Sequence, residues 1–147
     1  MADDSFLLPG TDEYSTDFWA GFADDKLLLQ TCSSCGSARY PTRPMCPDCR
    51  SLDYHWQEAS GRATIWSFVV AHPPVLPAYA EFAPYNVVVV ELEDFPGIRM
   101  VGNLVAAADA PINSVDPHGI SIGEPVEIVF SPVSEDLTFP RWRRSSP

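Results

Sequence analysis

Cys32-Ser33-Ser34-Cys35-Gly36 and Cys46-Pro47-Asp48-Cys49 contain all four cysteines of the chain, as two Cys-x-x-Cys pairs separated by ten residues. Such a turn places two thiolates on one side of a tight knuckle. Two facing knuckles give four sulfurs in a tetrahedron, the coordination of a closed structural zinc site. Four thiolates also fit iron in a rubredoxin-type site. Disulfides would need an oxidising compartment, to which nothing else in the chain points. The expectation is one structural Zn2+ on Cys32, Cys35, Cys46 and Cys49. Gly36 follows the first knuckle, where the backbone often needs a positive φ. Arg50 follows the second, which predicts a different or strained turn there.

Working outward, Lys26 to Thr31 reads as a strand delivering Cys32 into a ribbon. Arg39 and Arg43, in the ribbon's own loop, are expected to balance the tetrathiolate or its acidic surroundings. Upstream, Ser15-Thr16-Asp17 offers capping side chains before Phe18, Trp19 and Phe22, predicting a short helix at 16–24. An aromatic edge on so short a helix either packs on its own domain or docks on a partner subunit. Residues 1–14 lack periodicity and read as an acidic flexible arm, and residues 15–55 as helix plus zinc ribbon. The first 25 residues carry seven acidic groups and no Lys or Arg.

Beyond the ribbon the pattern changes to strands. Arg62 to Ala71 is a long β-branched and aromatic run, with Trp66, Phe68 and Val70 assigned to one face and Ile65, Ser67 and Val69 to the other. Pro73, Pro74, Pro77 and Pro84 mark a long loop carrying Val75, Leu76, Tyr79, Phe82 and Tyr85. Tyr85 to Glu93 is a strand with Val88, Val90 and Leu92 on one side. Phe95-Pro96-Gly97 then suits a type II turn, and Ile98 to Val105 returns. Val126 to Phe130 alternates again, and Leu137-Thr138-Phe139 reads as a last strand. Five strands in about 80 residues, the first long and two-sided, predict a five-stranded barrel of the OB type over 56–142. The fold class is therefore mainly β: a short N-terminal helix, a rubredoxin-like zinc ribbon and an OB-fold, with a basic tail end at 143–147.

The formal charge of −11 repels polyanions and disfavours a nucleic-acid role. Met1 is followed by Ala2-Asp3-Asp4 rather than a basic and then apolar segment, and no apolar run reaches membrane-spanning length, so a cytoplasmic location without membrane contact is expected. No phosphate-cradling Gly-rich loop or Gly-x-Ser-x-Gly elbow occurs. With the cysteines assigned to metal, no thiol nucleophile remains. His55, His72 and His118 are scattered, and Glu91 and Glu93 sit at a strand end beside a turn. No catalytic residue is assigned. Arg141, Arg143 and Arg144 around Trp142 are an exception in an acidic chain, suited to phosphates, an acidic surface or the chain's own acidic arm.

Taken in order, the residues resemble a known family. Phe18-Trp19, Leu27-Leu28-Leu29-Gln30, Cys-x-x-Cys-Gly, Tyr40-Pro41 and Cys46-Pro47-x-Cys49 are followed by Ser60-Gly61, Pro84-Tyr85, Gly102-Asn103-Leu104 and Gly123-x-Pro125-Val126. This series, over about residues 15 to 142, is similar to the zinc-ribbon plus OB-fold proteins first catalogued as domain of unknown function 35. The resemblance implies a non-catalytic partner of a thiolase-like aldolase or thiolase acting on acyl-CoA, as in the retro-aldol shortening of a steroid side chain. A nucleic-acid-binding ribbon/OB protein and an accessory subunit of an acyl-CoA hydratase are the alternatives, although the hydratase-like domain fused in some relatives is not in this chain. On this reading the partner interface involves Phe18, Trp19, Phe22, Tyr79 and Phe82. Arg62, Arg99 and Arg141 are the candidates to meet a CoA phosphate.

Overall fold

Leu27–Cys32 forms β1, with all its residues but Leu28 buried. Ala38–Arg39 (β2) and Tyr54–Ala59 (β3) pair antiparallel on either side of it, giving a three-stranded sheet in the order β2-β1-β3. The computed structural model describes residues 6–146. Met1 to Ser5, with Asp3 and Asp4 of the expected acidic arm, and Pro147 at the end of the basic tail lie outside the described residues.

Arg62–Ala71 (β4), Tyr85–Leu92 (β5), Arg99–Gly102 (β6), Pro125–Pro132 (β7) and Thr138–Arg144 (β8) make a five-stranded antiparallel sheet in the order β6-β5-β4-β7-β8. The sheet curls until its two edges meet. Leu104, just past β6, forms a parallel bridge with Trp142 of β8. Val105 N–H donates to the Trp142 carbonyl (2.8 Å) and Trp142 N–H to the Asn103 carbonyl (3.0 Å). The meander, the β4–β7 pairing and this closure give the OB topology. Between β6 and β7 the only helical piece among the described residues is the 3₁₀ turn Pro117–Gly119, in line with the two prolines of that stretch.

β4 departs from simple alternation. Its register against β5 slips between Ile65 and Ser67, a bulge at Trp66. Ala63 and Ile65 point inward before the slip, and Phe68 packs toward the core after it. Trp66 (50% exposed) and Val69 (62%) are left outside. An extra residue moves the inward parity by one, so Trp66 does not share a face with Phe68. β5 keeps strict alternation: Asn86, Val88, Val90 and Leu92 are buried. The hairpin after it closes as expected, with Ile98 N–H donating to the Phe95 carbonyl and Gly97 at φ +86°. β8 runs further than Leu137-Thr138-Phe139 suggested. Arg143 and Arg144 are strand residues and not a tail, because β8 is an edge strand that accommodates Pro140.

Thr16–Ala23 (α1) joins the two sheets. Ser15 makes no side-chain cap. Asp12 instead accepts from the N–H groups of Tyr14 and Ser15 (3.0 and 2.8 Å) and sets the turn into the helix. Phe22 is fully buried, near Phe130 of β7, and Trp19 lies near Phe139 of β8. One hydrophobic cluster therefore contains Phe18, Phe22, Leu27 and Leu29 together with Ile65, Val90, Leu104 and Trp142. The ribbon is continuous with the barrel core, not a satellite to it.

Candidate metal centre and adjoining surfaces

The two knuckles are copies of one another. Gly36 N–H donates to the Cys32 carbonyl and Arg50 N–H to the Cys46 carbonyl, both at 3.0 Å. Cys32 N–H meets the Ser37 carbonyl and Cys46 N–H the Ser51 carbonyl, both at 2.9 Å. Gly36 has φ +80° and Arg50 φ +66°. The second knuckle keeps the geometry of the first and places a non-glycine residue in the left-handed region to do so, at a cost of about 1–2 kcal/mol.

This repetition brings Cys32, Cys35, Cys46 and Cys49 together, with all Sγ atoms within 4.8 Å of one another. Cys32 to Cys49 and Cys35 to Cys46 are each 3.6 Å. Zinc–sulfur bonds of about 2.3 Å place tetrahedral sulfurs about 3.8 Å apart, so the donor set fits that ion. Cys32 and Cys46 are buried, Cys35 and Cys49 exposed, and none is bridged to another. The Cys35 N–H, 3.5 Å from Cys32 Sγ, favours the thiolate and brings Cys32 down to about 6. At Cys49 a Ser51 N–H acts in the same sense, but the Cys32, Cys35 and Cys46 sulfurs crowd it and push it up to about 12. Four like charges at this spacing ionise together only around a cation.

Arg39 is engaged within the ribbon rather than by these sulfurs. Arg39 is buried, its Nε shared between Gln30 Oε1 (3.0 Å) and the Arg43 carbonyl (3.3 Å), with its guanidinium 5.5 Å from the Tyr54 ring. Arg43 N–H donates to the same Gln30 Oε1. The pair holds the ribbon loop against β1, a role that no spacing in the sequence announces.

The three arginines considered for CoA are not one cluster. Arg62 opens β4 and pairs with Glu93 (3.0 Å) in the open. Arg99, on β6, pairs with Glu91 (3.0 Å) and stacks 3.9 Å from the Trp66 ring centroid. Both glutamates are thereby engaged by arginine. Arg141, on β8, is buried, and among the described residues no carboxylate pairs with it. His55 Nδ1 meets Ser33 Oγ, and His118 meets Asp116.

The aromatic candidates also divide. Phe18 (5% exposed) and Phe22 (0%) are core residues and offer no surface to a partner, which corrects their place in the expected interface. The helix is too short to keep such an edge solvated, so the edge packs on β1, β7 and β8. Trp19 is half-buried. Tyr79 and Phe82 are half-buried on the 3₁₀ turn Pro77–Phe82 in the proline-rich loop. Phe6, which no pattern singled out, stacks on Phe82. No helix among the described residues is long and apolar enough to cross a membrane.

Two family models match consecutive stretches of the chain: "ChsH2, rubredoxin-like zinc ribbon domain" over residues 19–55 and "ChsH2, C-terminal OB-fold domain" over 56–131. Among curated proteins, a probable enoyl-CoA hydratase alpha subunit of Thermomonospora curvata is 37% identical over 88% of this chain and 37% of its own length. The 3-oxo-4,17-pregnadiene-20-carboxyl-CoA hydratase alpha subunit of Mycobacterium tuberculosis is 32% identical over 95% of this chain and 39% of its own. The chain thus spans well under half of these two subunits. A DUF35 domain-containing scaffold protein of Methanothermobacter thermautotrophicus is 35% identical over 71% of each chain. Among solved structures, a chain of the "Ltp2-ChsH2(DUF35) aldolase" superposes with a TM-score of 0.80 at 32% identity, covering 95% of this chain and all of that one.

Proposed function

This chain belongs to the family of ChsH2-type zinc-ribbon and OB-fold proteins, DUF35, and from that premise we propose that it is a non-catalytic subunit of a thiolase-like enzyme acting on acyl-CoA. The observation that carries this reading is the likeness to the DUF35 component of the Ltp2-ChsH2 aldolase, which extends over the whole of that chain. The favoured reaction is retro-aldol cleavage of a steroid-type acyl-CoA in the cytoplasm. The substrate class draws on the steroid-like name of the Mycobacterium tuberculosis relative. The partner supplies the acid and base, since the histidines here are scattered and the paired glutamates are neutralised by arginine.

In this reading Cys32, Cys35, Cys46 and Cys49 hold one zinc, whose part is structural: it cross-links the two knuckles and stiffens β1, which carries α1 on its flank. The surfaces left for the partner are the proline-rich loop with Tyr79 and Phe82, half-buried aromatics of the kind that anchor interfaces, and the half-buried Trp19 of α1. Arg62, Arg99 and Arg141 remain the cationic positions for a CoA phosphate, as separate contacts rather than one clamp. The charge of −11 speaks against nucleic acid as the partner. A second reading, a subunit of an acyl-CoA hydratase, is favoured by the two hydratase alpha subunits among the relatives.

The test is reconstitution. The chain is co-expressed with its genomic thiolase-like neighbour, and carbon–carbon cleavage is measured with the partner alone, this chain alone and both. Activity only in the pair supports the proposal. Activity in this chain alone, or full partner activity without it, overturns it. Hydration of an enoyl-CoA in the absence of cleavage selects the second reading.

A further inference from the structure

Phe6 lies in a cradle. Its ring stacks on Phe82 (centroids 5.6 Å apart, planes at 15°) and tilts against Tyr79 (5.6 Å, 51°). On this ring the Arg141 guanidinium carbon sits 5.6 Å from the centroid. Arg141 is only 7% exposed, and its Nε is sealed from solvent without a hydrogen-bond partner. Arg62, Arg99, Arg143 and Arg144 each hold a carboxylate, whereas among the described residues none is paired with Arg141.

A guanidinium cannot escape this by losing its proton. A buried charge without a counter-ion costs on the order of several kcal/mol, and a cation–π contact returns only about 0.5–2 kcal/mol of that. Burial accordingly lowers the pKa of Arg141 from its ordinary value. Among the described residues the cradle supplies a flat ring to Arg141 and no carboxylate.

We infer that the cradle of Tyr79, Phe82 and Arg141 binds a ligand that joins a flat aromatic ring to an oxyanion, and that Phe6 is its built-in competitor. The ligand's ring replaces Phe6 against Phe82, and its oxyanion accepts from Arg141 Nε. A phosphorylated nucleoside meets both requirements. Choosing the nucleotide end of CoA rests on the function proposed above; the ring-plus-anion chemistry of the cradle does not.

The experiment is calorimetric titration of the full chain, without partner, using adenosine 3′,5′-bisphosphate, adenosine and inorganic phosphate. The bisphosphate is expected to bind at least tenfold more tightly than either fragment. Phe6→Ala, which removes the competitor, tightens it at least fivefold. Arg141→Gln weakens it at least tenfold. Because Arg141 is buried, Phe82→Ala serves as a second variant at a half-buried site and weakens binding at least fivefold with the melting curve unchanged. The inference is overturned by any of three results: no binding by either the native chain or Phe6→Ala, inorganic phosphate as tight as the bisphosphate, or weaker binding in Phe6→Ala. With no partner in the cell, a failure here is separate from a failure of reconstitution.

Discussion

Asn86 Oδ1 accepts the backbone N–H of Leu104 at 2.6 Å, and Asn86 Nδ2 donates to the Leu104 carbonyl at 2.9 Å. One fully buried amide thus imitates a strand neighbour where β6 has ended, and it holds the chain in line to reach Trp142. Replacing it with Ala leaves a buried N–H and a buried C=O without partners. At about 1–3 kcal/mol for each such group, Asn86→Ala should cost about 2–6 kcal/mol in urea unfolding. Asn86→Asp keeps an acceptor for Leu104 N–H but loses the donor, so it should also destabilise. A neutral result for both would show that the closure does not depend on this amide.

Gly61 marks the passage from β3 to β4. It has φ +80°, and a Cβ built there would run into Ile128 Cγ2. Its carbonyl also accepts the Ile128 N–H at 2.8 Å, which ties the hinge to β7. Gly61→Ala therefore adds overpacking to backbone strain and should cost about 2–4 kcal/mol. In an Ile128→Ala background the penalty should shrink to the backbone part. An unchanged penalty would place the cost elsewhere.

Much of this architecture was legible in residue order. The knuckles followed from Cys-x-x-Cys spacing, β5 from strict alternation, and the hairpin from Pro96-Gly97. What was not legible depended on contacts distant in sequence. The Trp66 bulge is invisible because Trp66 and Phe68 are equally apolar, and only the register against Val88 to Val90 separates them. Phe18 and Phe22 resembled an interface because the hydrophobic demand of β7 and β8 on that helix cannot be read locally. Arg141, Arg143 and Arg144 looked like one basic tail. Position along β8 separates them: Arg141 lies in its buried stretch beside Trp142, and Arg143 and Arg144 at its exposed end pair with Glu127 and Glu124.

Glu124 takes a hydrogen bond from Arg144 Nε (2.8 Å), which is the main cause of its lowered pKa. A carboxylate whose folded-state pKa is depressed contributes stability above its unfolded pKa and loses it as pH falls through the folded one. Arg144→Gln should therefore flatten the acid limb of a stability-versus-pH curve while leaving its shape above pH 6 unchanged. The pair is partly exposed, so the effect is held below about 1 kcal/mol. An acid limb of undiminished slope would assign it to other groups.

The metal reading commits to stoichiometry. Purified chain should contain one zinc, because four Sγ atoms within 4.8 Å account for every cysteine present. Cys46→Ser, which removes a buried ligand, should release the metal and lower solubility, since such sites contribute on the order of 10 kcal/mol to folding. Elemental analysis showing iron, or a folded sample with no metal, would defeat this assignment.

The knuckle repeat allows a sharper test, because Gly36 and Arg50 hold the same position with different residues. A Cβ on Gly36 meets nothing within 4 Å. Any loss in Gly36→Ala is therefore backbone strain at φ +80°, about 1 kcal/mol. Arg50 already bears that strain at φ +66°, so Arg50→Gly should act in the opposite direction and stabilise the zinc-loaded chain by about 0.5–1 kcal/mol. Part of the relief is offset by the greater freedom of glycine in the unfolded chain. Thermal melts of the two variants, at matched zinc content, should move to opposite sides of the native chain. If Arg50→Gly instead lowers the melting point, the arginine side chain makes a contribution larger than the strain it imposes, and the equivalence of the two knuckles fails.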